Sequence, residues 1–86
     1  MATYRVVLTP AAARQLVKLS RGAREMVAAV SVTLASNPRP PGAVRLAGTE
    51  TLWRIRVRDF RIIYTIVAKQ LTVSVVKIGD RKDVYR

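Results

Sequence analysis

Eighty-six residues carry 16 Lys+Arg against 5 Asp+Glu, a formal charge of +11, and 50% of the chain is apolar. A disordered basic tail lacks the apolar content for a core, and two domains of ordinary size need more chain, so the expectation is one basic domain over residues 1–86. With no Cys and no His, the sequence excludes thiolate nucleophiles, disulfides, Cys/His zinc sites, haem ligation through His and imidazole acid–base chemistry.

Residues 4–8 read as a short strand, and Thr9-Pro10 then offers a capping oxygen followed by proline at the first helical position, where its missing N–H costs nothing. Ala12, Leu16 and Leu19 fall on one stripe of the helix that follows, with Arg14 and Lys18 on its flanks. Ser20 caps a second helix, in which Ala23, Val27, Val30 and Leu34 repeat the spacing as far as Ser36-Asn37, and Pro38 prevents continuation. The Pro/Gly-dense stretch 37–42 marks a change from period 3.6 to period 2. Three strands follow at 52–57, 61–67 and 71–78, and links of three residues or fewer force an antiparallel meander. Residues 79–86 form a polar tail that opens on a glycine. The expected fold is α+β with the order β-α-α-β-β-β: a helical hairpin packed on one face of a small, mainly antiparallel twisted sheet.

The first five residues open no apolar run of signal-peptide length, and the longest nearly apolar stretch, 26–35, falls short of the roughly 20 residues that span a bilayer. A soluble cytoplasmic protein, with no membrane among its partners, is therefore expected. A field this positive attracts polyanions, whether nucleic acid, ribosome, an acidic protein or an anionic membrane surface, and charge alone does not choose among them. Period-2 alternation sends Trp53, Ile55 and Val57 to one sheet face and Arg54, Arg56 and Arg58 to the other. Arg61, opening the next strand, comes near the end of that row. Like charges crowded on one surface are unfavourable unless an anion answers them, so this arginine face is a candidate phosphate-binding surface. Trp53 and Tyr64 read as core residues, the latter with its hydroxyl at the core edge. Tyr85, among Arg81, Lys82 and Arg86, has little core left to enter.

The groups Leu46-Ala47-Gly48, Trp53-Arg54-Ile55-Arg56-Val57-Arg58-Asp59-Phe60-Arg61-Ile62-Ile63-Tyr64 and Ile78-Gly79-Asp80-Arg81-Lys82-Asp83-Val84-Tyr85 resemble, in order and spacing, the RelE branch of the RelE/ParE superfamily of bacterial toxins. The resemblance runs nearly the whole chain. It implies a ribosome-dependent mRNA endoribonuclease that cuts codons in the ribosomal A site and is inhibited by a cognate, RelB-like antitoxin. The implied partners are that antitoxin and the 70S ribosome with its mRNA, with no metal and no small-molecule cofactor. By motif match the catalytic positions are Arg54, Arg56, Arg61, Arg81 and Tyr85, while Arg54, Arg56, Arg58 and Lys82 contact RNA. The implied reaction is attack of a ribose 2′-OH on the adjacent phosphate, leaving a 2′,3′-cyclic phosphate and a free 5′-OH. Tyr85 is the base with suitable chemistry in that cluster; surrounding guanidinium charges favour its phenolate. Arginine is a poor proton donor, so Arg81 is read as stabilising charge on the leaving oxygen. Two other classes compete: a ParE-like toxin that binds DNA gyrase without cutting RNA, because one scaffold serves both, and a basic RNA-binding module without catalysis.

Overall fold

A computed structural model describes residues 3–80, the side chain of Asp80 excepted. Strand β1 (Arg5–Leu8) leads into helices α1 (Pro10–Val17) and α2 (Arg21–Ser36); β2 (Val44–Arg45), β3 (Leu52–Val57), β4 (Phe60–Val67) and β5 (Thr72–Asp80) follow, with a 3-10 turn at Ala68–Gln70 between the last two. Both helix starts form as their capping residues dictate. The backbone N–H of Ala12 donates to Thr9 Oγ1 at 3.2 Å, and that of Ala23 donates to Ser20 Oγ at 3.2 Å. Extended Asn37 and the following Pro38 end α2.

The five strands make one sheet in the order β1-β5-β4-β3-β2. The pairs β2–β3, β3–β4 and β4–β5 are antiparallel, whereas β1 lies parallel to β5, joining the two ends of the described chain. Both helices pack on one face, α1 over β5 and β1 and α2 over β1 and β3. The core contains the stripe residues Ala12, Val27 and Leu34 against Ile55, Ile62, Tyr64, Val73, Val75 and Ile78, with Leu16, Leu19, Val30, Trp53, Val57 and Ile66 packed around them. The α+β hairpin-on-sheet arrangement is the expected one.

Five details differ from the sequence reading. Helix α1 ends at Val17, so Leu19 packs against the core from beyond the helix. A two-residue strand, β2, pairs Val44 with Arg54 and Arg45 with Trp53, too short to leave a periodic signal. Strand β4 begins at Phe60, because Phe60 already pairs with Val57 and only Arg58-Asp59 turns the hairpin. Strand β5 extends through Gly79 and Asp80, which pair with Arg61 and Phe60. Finally, the Tyr64 hydroxyl is inside the core and not at its edge: Tyr64 is 0% exposed and donates to the Pro38 carbonyl at 2.8 Å. Pro38 and Pro40 are buried over this end of the sheet, and between them Arg39 stacks on the Trp53 ring at 5.2 Å.

Candidate nucleic-acid interface

Directly opposed residues of neighbouring strands share a face. Trp53–Tyr64–Val75 and Ile55–Ile62–Ile78 are such rows on the helix side. On the other side the rows are Arg56–Arg61–Gly79 and, one step along, Val44–Arg54–Ile63–Lys77. The structure therefore sets Arg54, Arg56 and Arg61 together on the face the helices leave open. Arg56 is exposed, Arg54 half-buried, and Arg61 only 4% exposed. Arg56 and Arg61 oppose one another directly across β3 and β4, and guanidinium groups so placed suit a phosphate.

Arg58 departs from the alternation. It sits in the β3–β4 turn with φ +54°, a left-handed conformation that side chains rarely adopt, because the strand ends at Val57 and the chain reverses in two residues. Its charge thus stands at the rim of the face, not in the row of Arg54 and Arg56. Arg81, Lys82 and Tyr85 lie outside the described residues. The last described residues, Gly79 and Asp80, pair with Arg61 and Phe60.

Lys77 escaped the sequence reading. Strict alternation from Val73 and Val75 would point it into the core, but β5 carries a bulge opposite the Ile63/Tyr64 step: Tyr64 pairs with Val75 and Ile63 with Lys77, leaving Val76 over. Beyond the bulge the faces swap, so that Ile78 enters the core and Lys77 joins the row of Arg54. A lysine in phase with two core valines was the signal that could have revealed it.

A cleft of about 290 Å³ lies on the helix side, lined by Val6, Leu8, Leu16, Val27 and Ala28 with Arg24 and Ser31. Its lining is mainly aliphatic, which suits apolar contact better than phosphate chemistry. Among the described residues no cluster of three or more Asp, Glu, His or Cys could hold a metal ion, and no helix is long and apolar enough to cross a membrane.

The sequence profile of a family described as the ParE toxin of type II toxin–antitoxin systems, parDE, matches residues 6–85. An Escherichia coli protein described as a RelE-like toxin is 30% identical over 86 residues, spanning 95% of this chain and 90% of that one. The fold superposes on a chain of the archaeal RelE–RelB complex from Pyrococcus horikoshii with a TM-score of 0.82 and 25% identity, covering 95% of this chain and 99% of that one. A chain of a RelBE toxin–antitoxin complex from Mycobacterium tuberculosis gives a TM-score of 0.85 at 25% identity, covering 96% and 97%.

Proposed function

This chain belongs to the RelE/ParE superfamily of type II toxin–antitoxin toxins, and from that premise we propose that it is a ribosome-dependent mRNA endoribonuclease. It acts in the cytoplasm as one domain, cuts the codon held in the A site of the 70S ribosome, and is silenced by a RelB-like antitoxin. The observation that carries this reading is the cross-strand pairing of Arg56 with Arg61, one row from Arg54, on the helix-free face. Such a face suits a reaction that concentrates negative charge on one phosphate.

In the proposed step the Tyr85 phenolate takes the proton of a ribose 2′-OH, the 2′ oxygen bonds to phosphorus, and the bond from phosphorus to the 5′ oxygen breaks. The 5′ oxygen leaves with a proton from water or from a ribosomal group. Arg56 and Arg61 hold the equatorial oxygens of the pentacovalent phosphate by charge-assisted hydrogen bonds, Arg54 and Arg58 hold the flanking backbone with Lys82, and Arg81 faces the departing oxygen. No metal is needed, because guanidinium groups supply the charge.

Single-turnover cleavage on ribosomes programmed with a defined mRNA tests this. Tyr85→Phe keeps the ring and removes one hydroxyl, and a general base contributes about 10²–10⁴-fold, so the rate should fall by that factor while ribosome binding stays near parental. Arg56→Ala, at an exposed position, should also cleave more slowly. The match to a ParE profile favours one competing reading, a gyrase-binding toxin. A parental chain that leaves programmed mRNA intact but inhibits DNA gyrase would establish that reading in place of ours.

A further inference from the structure

We propose that Lys77 is a fourth cation of the RNA-binding face, carried there by the bulge in β5, and that with Arg54 it holds the RNA backbone over Ile63. This inference rests on the nuclease reading above and adds a residue that its motifs do not contain. Arg54 and Lys77 are the two Cα partners of Ile63, one on each side. Two strand spacings, about 10 Å, separate their backbones. Both are long, half-buried side chains flanking a residue that is itself 6% exposed, so both heads can reach one phosphate above it.

The backbone is arranged to produce this placement. Were β5 regular, Lys77 would follow Val73 and Val75 into the core, which a charged group does not tolerate. The bulge interrupts the ladder, and groups outside the sheet answer its displaced backbone. The N–H of Ile78 donates to Gln15 Oε1 at 2.7 Å, and the Thr9 hydroxyl donates to the Val76 carbonyl at 3.4 Å. Helix α1 and its cap thus hold the bulge from the opposite face. Merely keeping a lysine out of the core would need only a different residue at position 77. Holding it in the Arg54 row, beside the Arg56–Arg61 pair, gathers four cations in two adjacent rows of the sheet. Such a cluster offers a polyanion several attractive contacts at once.

The experiment measures single-turnover mRNA cleavage on programmed 70S ribosomes at subsaturating chain concentration and over a range of salt. Lys77→Gln and Lys77→Met both remove the charge and keep the stem; Lys77→Arg restores the charge. Lys69→Gln, on the exposed turn between β4 and β5, makes the same change in net charge elsewhere. The neutral Lys77 variants should cleave about tenfold more slowly, with a log–log salt slope shallower by about 0.7. Lys77→Arg should return to within about twofold of parental and Lys69→Gln should match parental, circular dichroism confirming the fold of each. Neutral Lys77 variants that fold and behave like Lys69→Gln overturn the assignment while leaving the nuclease reading intact. A parental chain that does not cleave overturns both.

Discussion

Tyr64 shows how one side chain ties the irregular segment after α2 to the sheet. Its ring fills the core, and its hydroxyl donates to the Pro38 carbonyl, so a backbone acceptor buried with the proline is satisfied. Burial pushes the phenol up to about 12, against a smaller opposing effect of the Arg39 charge. In the unfolded chain the same phenol titrates near 10. Between those values the unfolded state gives up its proton while the folded state keeps it, so the contribution of Tyr64 is complete below pH 10 and is lost as pH rises towards 12. Over that window the parental chain should lose about 2–3 kcal/mol more stability than Tyr64→Phe does. At pH 8 Tyr64→Phe should be the less stable by about 1 kcal/mol, through loss of the hydrogen bond. Urea unfolding of both chains at pH 8, 10 and 11.5 checks this, and parallel pH profiles would refute it. Arg58 makes a related point: a non-glycine residue held at φ +54° stores backbone strain, here in the turn beside the paired arginines.

The bulged strand is the element on which the site depends. Regular pairing from Thr72 to Val75 sets Val73 and Val75 in the core, and regular pairing from Lys77 onward brings Gly79 beside Arg61. Val76 lets both segments keep correct faces although they are out of phase. The hydrogen bond that Gln15 accepts from Ile78, at 2.7 Å, is shorter than the one from the Thr9 hydroxyl to Val76. Gln15→Ala leaves that amide without its acceptor and should cost about 1–2 kcal/mol, less a few tenths from the better helix propensity of Ala. Arg14→Ala, one position away on the exposed side of α1, should stay within about 0.5 kcal/mol of parental. Denaturant midpoints measure both. Amide exchange at Ile78 should accelerate in Gln15→Ala beyond that at Ile62, its cross-strand partner; equal acceleration would mean that the loss is global and the bulge is held by other contacts.

At the scale of the whole molecule, a charge of +11 on 86 residues makes long-range attraction to any polyanion a general property, which is why charge alone does not separate RNA from an acidic antitoxin. The two faces of the sheet differ in kind. The helix-free face carries paired cations in rows, while the helix side carries an aliphatic cleft with Arg24 at its wall. An acidic antitoxin segment is therefore expected to bind with a strong electrostatic component that salt screens. Raising ionic strength from 50 to 500 mM should slow association by about tenfold or more, with a smaller change in dissociation. Surface plasmon resonance on the purified pair reads both rates, and salt-independent association would show that apolar contact dominates the approach.

Helix starts and breaks are local, and the sequence determined them: Thr9-Pro10, Ser20 and Pro38 act within one turn of where they stand, and the stripe positions they bound formed as their spacing requires except Leu19, which lies past the end of α1. Most of the arginine face was legible for the same reason, since alternation within β3 faces Arg54 with Arg56 and a short link brings Arg61 near; the two-residue turn that removes Arg58 from the row was not. Four features were decided by tertiary structure: the parallel pairing of β1 with β5, the burial of the Tyr64 hydroxyl under Pro38, the small strand β2, and the facing of Lys77. Three of them depend on groups far apart in the chain: Arg5 with Thr72 at 67 residues, Tyr64 with Pro38 at 26 and Ile78 with Gln15 at 63. Periodicity describes which way a regular strand faces but not where regularity stops. A bulge persists where another element satisfies the backbone groups it frees, and only the folded chain brings Gln15 and Thr9 to β5.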